Sequence, residues 1–183
     1  MQEEELIKKA KNRNPEAFGL LYDQYAPAIY RFVLLKISDK TAAEDLTHQV
    51  FLKAWQNIES YQTQGFPFSS WLYRIAHNLV VDYYRTEKSH LSLETMREVS
   101  VASNLEEKID QERDLNLIKT ALKKLPAEQQ TIIIMKFVED LTNKEIAAVL
   151  EKSEGAIKTA QYRSLENLKK IINGKSNHKI KEA

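Results

Sequence analysis

The stretch from Leu141 to Ile172, LTNKEIAAVLEKSEGAIKTAQYRSLENLKKII, constrains this chain more than any other. It predicts two helices joined by a very short turn. Thr142, with Glu145 three residues on, has the pattern of a capping box: the hydroxyl accepts an orphan backbone N–H and the carboxylate reaches back. Ile146, Ala147, Val149 and Leu150 supply an apolar face, Glu151 and Lys152 make the turn, and Ser153 is a good N-cap for the second helix. There Ile157, Ala160, Ser164, Leu168 and Ile171 recur at spacings of three and four on one side, leaving Lys158, Thr159, Tyr162 and Arg163 on the other. This is a helix-turn-helix pattern, which sets its second helix in the DNA major groove with residues near its N-terminus at base edges. Lys158 and Arg163 suit phosphates or guanine, and Thr159 and Gln161 suit base edges. An ordinary antiparallel helix pair with a solvated basic face fits the same stretch.

Charge distribution favours the nucleic-acid reading, though weakly. The net charge is only +1, but residues 117–183 carry 13 basic and 8 acidic side chains, against 3 and 7 in residues 89–116 and 11 and 11 in residues 1–88. With no cysteine there is neither a disulfide framework nor a thiolate metal site. No apolar run approaches membrane-spanning length and the opening MQEEELIKKA is polar and charged, so a cytoplasmic protein is expected. Four glycines and four prolines among 183 residues, with long helix-period segments, argue for an all-α chain.

From the start, residues 2–13 read as a short amphipathic helix carrying Leu6, Ile7 and Ala10. Asn14 and Pro15 open a longer helix to Ile37, in which Pro27 should start a kink or a local break. Asp39 or Thr41 caps a third helix, Ala42 to about Ile58. Leu46, Val50 and Ala54 face inward there, and Asp45, His48, Gln49, Leu52 and Gln56 form the opposite stripe. That stripe is either a solvated face or, given a leucine among polar residues, a protein-contact surface. After a loop over Tyr61–Pro67, Ser69 or Ser70 caps a fourth helix to about Lys88. Its outward face interleaves Trp71, Arg74, His77, Asn78, Asp82, Tyr84, Arg85 and Lys88. Cations that follow a backbone and rings that stack on unpaired bases suit single-stranded nucleic acid. The alternative is that Tyr73, Tyr83 and Tyr84 are partly buried core with wet hydroxyls.

Residues 89–116 change character and read as a linker leading into a helix from about Leu105 to Lys124; fully stretched, they reach roughly 90 Å. Pro126 opens a further helix, Ala127 to Val138, with Ile132, Ile133, Met135 and Phe137 as its core. Asn173 and Gly174 predict a helix stop before a basic, disordered tail.

Three motifs in order, AEDLTHQVFLKAW at 43–55, FSSWLYRIAHNLVVDYYR at 68–85 and LPAEQQTIIIMKFVEDLTNKEIAAVLEKSEGAIKTAQYRSLENLKK at 125–170, resemble bacterial RNA polymerase sigma factors of the extracytoplasmic-function group. The resemblance implies two small helical domains joined by a flexible linker. The first, residues 1–88, would dock on the polymerase core and recognise and melt the minus-ten element; 89–116 would link; 117–172 would hold the helix-turn-helix that reads the minus-thirty-five element; 173–183 would form a basic tail. By position, Asp45, His48, Gln49 and Leu52 would meet the core, and Trp71, Arg74, Asn78, Asp82, Tyr84 and Arg85 would take minus-ten DNA. Lys158, Thr159, Gln161, Tyr162 and Arg163 would take minus-thirty-five DNA. The implied partners are core polymerase and promoter DNA. An anti-sigma factor is common in the family, but no residue here proves one.

The chain departs from the pattern at His48 and Gln49, where relatives often have glutamine followed by an acidic residue, and at Thr159–Ser164, where they show more arginine. No nucleotide-binding loop, nucleophile triad or metal cluster is recognisable, so no enzyme, no cofactor and no small-molecule substrate are expected; the four histidines have no ligand spacing and read as surface residues. Two rival readings remain at this stage: a stand-alone helix-turn-helix regulator binding duplex DNA, and a DNA-processing enzyme, which would need a catalytic nucleophile or an acidic metal cluster among residues 1–88.

Overall fold

A computed structural model of the chain describes residues 2–63, 65–91 and 111–179. Every regular element among them is helical: α1 (Glu3–Lys11), α2 (Pro15–Ile37), α3 (Lys40–Asn57), a 3-10 turn (Ile58–Ser60), α4 (Phe68–Leu91), α5 (Gln111–Lys123), α6 (Ala127–Phe137), α7 (Asn143–Leu150) and α8 (Glu154–Lys179). Residues 92–110 of the linker expected over 89–116, the expected helix start at Leu105 and the last four residues lie outside the described residues.

Helix boundaries follow local chemistry. Asn14 Oδ1 accepts from the Ala17 N–H at 2.8 Å and Asp39 Oδ1 from the Ala42 N–H at 2.7 Å, so Asp39 and not Thr41 caps α3. The break considered at Pro27 does not occur: α2 runs through it as helix, packed on α1, α3 and α4. Neither Ser69 nor Ser70 caps α4, which begins one residue earlier at Phe68; the Ser70 N–H donates to Pro67 O at 3.0 Å and its hydroxyl is buried. Gly174 does not stop α8, which continues to Lys179. Leu165, Leu168 and Ile171 pack against Leu122, Leu125 and Ile133 close to that point, and a single glycine inside a helix costs only about 1 kcal/mol.

The N-terminal half, α1–α4, is built around Leu21, Phe32, Val33, Val50, Ala54, Phe68, Leu72 and Ala76. Fully burying each large side chain contributes about 1.5–3 kcal/mol. The C-terminal half, α5–α8, closes over Ile133. The two halves also pack on each other. Ile132, Ile134, Met135, Leu141 and Ile146 belong to the same apolar cluster as Phe32 and Leu72, with α6 against α2 and α7 against α4. This corrects the expected core of α6. Because α6 is covered on two sides, Ile132, Ile133, Ile134 and Met135 are all buried, whereas Phe137, expected inside, is 50% exposed.

Candidate nucleic-acid and polymerase interfaces

The helix-turn-helix forms as its local sequence requires. Glu145 N donates to Thr142 Oγ1 at 3.2 Å while the Glu145 carboxylate accepts from Thr142 N at 2.6 Å. Glu151 ends α7 in the left-handed region at φ 55°, and Ser153 Oγ accepts from the Ala156 N–H at 3.2 Å to start α8. Ile157 and Ser164 are buried, and Asn167 Nδ2 donates to Gln129 Oε1 at 2.9 Å, which fixes α8 on α6. Lys158, Thr159, Tyr162 and Arg163 consequently stand on the open side, Tyr162 at 69% exposure; Gln161 is half-buried at its margin. Lys158 is tied to Glu154 at 2.9 Å, while Thr159 donates to Gly155 O at 3.1 Å. The open face therefore carries cations, a hydroxyl and a ring on a rigid helix.

On α4, Trp71, Arg74, Asn78, Asp82 and Arg85 fall on one stripe by helical spacing. Arg85 pairs with Asp82 at 3.1 Å, and Arg74 reaches across to the Glu151 carboxylate of the C-terminal half. Trp71 is half-buried against Tyr61 (ring centroids 5.0 Å) and Phe68 (5.4 Å). Tyr84 is not brought to this stripe: its hydroxyl donates to Lys36 O at 2.5 Å and its ring lines a cavity between the halves with Lys36, His77, Val80, Val81 and Ala127. His77 is only partly at the surface. Its Nδ1 is buried without a partner, and burial, with the nearby Lys36 charge, holds its pKa below the ordinary histidine value. Tyr73 is buried, as the partly buried reading of the tyrosines had it, but its hydroxyl is bonded to Glu139 rather than to water.

The loop before α4 belongs to the same surface. Gly65, at φ 78°, turns the chain in a conformation other residues rarely adopt. Phe66 and Pro67 then wall a cavity of about 430 Å³ with Tyr61, Ser70, Trp71 and Arg74 on one side and Lys144, Ala147 and Glu151 of α7 on the other. Lys144 stands over the Phe66 ring, 5.5 Å from its centroid. Phe66 and Lys144 were not singled out from the sequence; an aromatic between glycine and proline was the available signal for the first, and none existed for the second.

Asp45, His48, Gln49 and Leu52 all lie on the exposed stripe of α3. Leu52 is 56% exposed and borders an apolar depression formed with Pro15, Phe18, Phe51 and Trp55. The opposite face of α3 buries Ala43, Leu46, Val50 and Ala54, so this stripe is not needed for the fold. Among the described residues no group of three or more histidine, cysteine or acidic side chains is placed to hold a metal ion, and no helix is long and apolar enough to cross a membrane.

Comparisons with known proteins bear on these surfaces. The family model for sigma-70 region 2 matches residues 21–90, and that for sigma-70 region 4 matches residues 115–168. The ECF RNA polymerase sigma factor SigW of Bacillus subtilis is 31% identical over 177 residues, covering 91% of this chain and 94% of SigW. BldN of Streptomyces coelicolor, also an ECF RNA polymerase sigma factor, is 34% identical over 171 residues; the match takes in 92% of this chain but 65% of BldN. The solved structure of the sigma factor RpoE in complex with the anti-sigma factor NepR, from Bartonella quintana, aligns with a TM-score of 0.73 at 25% identity. It covers 85% of this chain and 96% of that one. With both regions matched in order and SigW covered almost from end to end, the chain belongs to the extracytoplasmic-function group of RNA polymerase sigma factors.

Proposed function

We propose that the chain binds the core of RNA polymerase, directs it to specific promoters and helps open the DNA for initiation. The observation that carries this reading is the presence, in one chain, of three separate helix stripes turned away from the core, the second of them partly covered by α7. The Asp45–Leu52 stripe of α3 would dock on core. The Trp71–Arg85 stripe of α4, with the loop before it, would take the minus-ten strand; Tyr84, held by Lys36 O of α2, stands apart from it. The Lys158–Arg163 face of α8 would read the minus-thirty-five duplex. Residues 1–88 and 117–172 are then the two working units, joined through 89–116 and followed by the tail 173–183. The chain supplies binding energy and strand capture in the cytoplasm while the polymerase carries out the chemistry. An anti-sigma factor, of the kind that RpoE is seen with, would act by covering the core-docking or the DNA-binding surfaces.

Gel filtration of the purified chain with core polymerase tests this directly. Co-elution followed by promoter-selective transcription is the expected result. No association, together with tight duplex binding by the chain alone, would mean a stand-alone regulator instead. Within that frame, Arg163→Ala should weaken upstream-element duplex binding by about 1–3 kcal/mol if the arginine reads a base. Unchanged affinity in a titration of labelled duplex would show that α8 is presented by a different edge.

A further inference from the structure

A second cavity, of about 240 Å³, lies where α2 and α4 meet α6 and the end of α7. Its walls are largely apolar: Val80 and Val81 of α4, Leu150 of α7 and the Tyr84 ring. Val81 and Tyr84 are both exposed, so the mouth has an apolar lip. The other end is cationic. Lys36 of α2 lines the cavity and is 5% exposed. An ammonium has three N–H donors and no acceptor. Lys36 Nζ donates to two neutral oxygens, Ala127 O at 2.9 Å and Gln130 Oε1 at 2.8 Å. Among the described residues no carboxylate pairs with it. Glu128, the acid on the lining, is taken by Lys152 at 2.6 Å. His77, near Lys36, also lines the cavity, and its Nδ1 has no partner. A cation taken out of water is costly unless an anion faces it, and here the fold supplies none.

The geometry points to a binding site for a small monocarboxylate with an apolar body, its carboxylate at Lys36 and its hydrocarbon against Val80, Val81 and Leu150. The charge balance selects one carboxylate. Lys152 and Glu128 cancel at the rim, which leaves the single positive charge of Lys36 for the ligand to meet. A phosphate carries more charge than one lysine balances, and the apolar walls offer it no donors in exchange for lost water. The third N–H of Lys36 is the donor that a carboxylate takes, as a charge-assisted hydrogen bond. Size sets the rest. At about 30 Å³ for each water, the cavity has the room of roughly eight waters, which suits an aliphatic acid of about six carbons. Each methylene placed against the valines and Leu150 leaves water and adds to binding. The site is separate from those assigned to polymerase and DNA, since it contains no residue of the Asp45–Leu52 stripe or the Lys158–Arg163 face. It also gives a role to Tyr84, which stands apart from the minus-ten stripe: its ring is one wall.

The test is a titration of the full, nitrogen-15-labelled chain with sodium hexanoate at neutral pH, followed by amide NMR, with hexanamide as the uncharged match. The amides of Val80, Val81 and Thr131, which line the cavity, should shift saturably, with half-saturation on the order of 1 mM. Hexanamide should bind more weakly by on the order of tenfold, because it cannot balance Lys36. Lys36→Met should bring hexanoate down to the affinity of hexanamide. Val81→Trp keeps the lysine but fills the apolar end, and should remove binding of both. Equal affinity of the wild-type chain for the two ligands, or hexanoate affinity unchanged in Lys36→Met, would overturn the anion site. Shifts that rise without saturating, or that gather on the Lys158–Arg163 face, would overturn the cavity as their source. The titration uses the chain alone, so a failure to co-elute with core polymerase would remove the sigma reading and leave this one standing.

Discussion

Phe68→Ala should cost about 3–5 kcal/mol of stability, more than any other single truncation on the minus-ten surface. The Phe68 ring is 1% exposed and meets three others: Tyr61 edge-on at 5.1 Å, Trp71 at 5.4 Å and Tyr25 at 5.7 Å. Tyr25 is held in turn by its hydroxyl, which donates to Glu3 at 2.6 Å; burial first, and that carboxylate second, push its pKa well above the ordinary tyrosine value. Phe68 thus ties α1, α2, the loop and the start of α4 together. At roughly 2–4 °C per kcal/mol for a chain of this length, the thermal midpoint should fall by about 10 °C in a calorimetric scan. Arg85→Ala, on the exposed side of the same helix, should leave the midpoint within a few degrees, and Trp71→Ala, half-buried beside Phe68, should lower it less than Phe68→Ala does; both should reduce permanganate reactivity of promoter DNA in the presence of polymerase. A Phe68→Ala midpoint within 3 °C of wild type would mean that the cluster does not hold the loop. Unaltered promoter opening in the other two variants would take them out of strand capture.

What was legible in the sequence was what is local. The capping box of Thr142 and Glu145, the Ser153 cap and the Asp39 cap are each settled by residues within three positions, and helical periodicity placed the α3, α4 and α8 stripes without knowledge of what covers their backs. The misses along the contact between the halves have one common cause. Arg31 and Glu139 are 108 positions apart and no periodicity connects them. Once that contact closes the halves on each other, Tyr73 faces Glu139, His77 Nδ1 is covered and Ile134 is buried, whereas Tyr84 turns to Lys36 within the N-terminal half. A chain read as two units on a tether gives each helix one buried face, whereas α4 and α6 here have two. The residues proposed to touch DNA on α4 are consequently split: the Trp71–Arg85 stripe stays together and Tyr84 leaves it.

The second large effect concerns pH. Lys36 is 5% exposed and has two neutral acceptors but no carboxylate, and burial pushes its pKa down to about 8 from an ordinary 10.5. Separating the halves would return it to water and to its ordinary value, so closing favours the neutral amine. The open chain then binds more protons between pH 8 and 10.5, and the closed arrangement gains stability as pH rises through that window. Tyr73 acts oppositely: burial and the Glu139 hydrogen bond raise its pKa, so closure weakens where an open tyrosine ionises, near pH 10. His77, held below its ordinary value, opposes closure only on the acid side of neutrality. The clean window is therefore pH 8 to 9.5, where Lys36 alone should add about 2 kcal/mol to closure, at 1.36 kcal/mol per unit. Lys36→Met should abolish this slope. At pH 7.5 it should also favour closure, because removing the desolvated charge gains more than the roughly 1 kcal/mol lost with the Gln130 hydrogen bond. Ala127 O keeps a partner in the Thr131 hydroxyl, at 2.9 Å. Donor and acceptor dyes on Lys53→Cys of α3 and Lys170→Cys of α8, in a chain with no cysteine of its own, read both effects by single-molecule energy transfer: high transfer should increase from pH 8 to 9.5 in wild type and be raised and flat in Lys36→Met. A wild-type chain whose transfer is constant across that range would show that Lys36 is not buried by the approach of the C-terminal half.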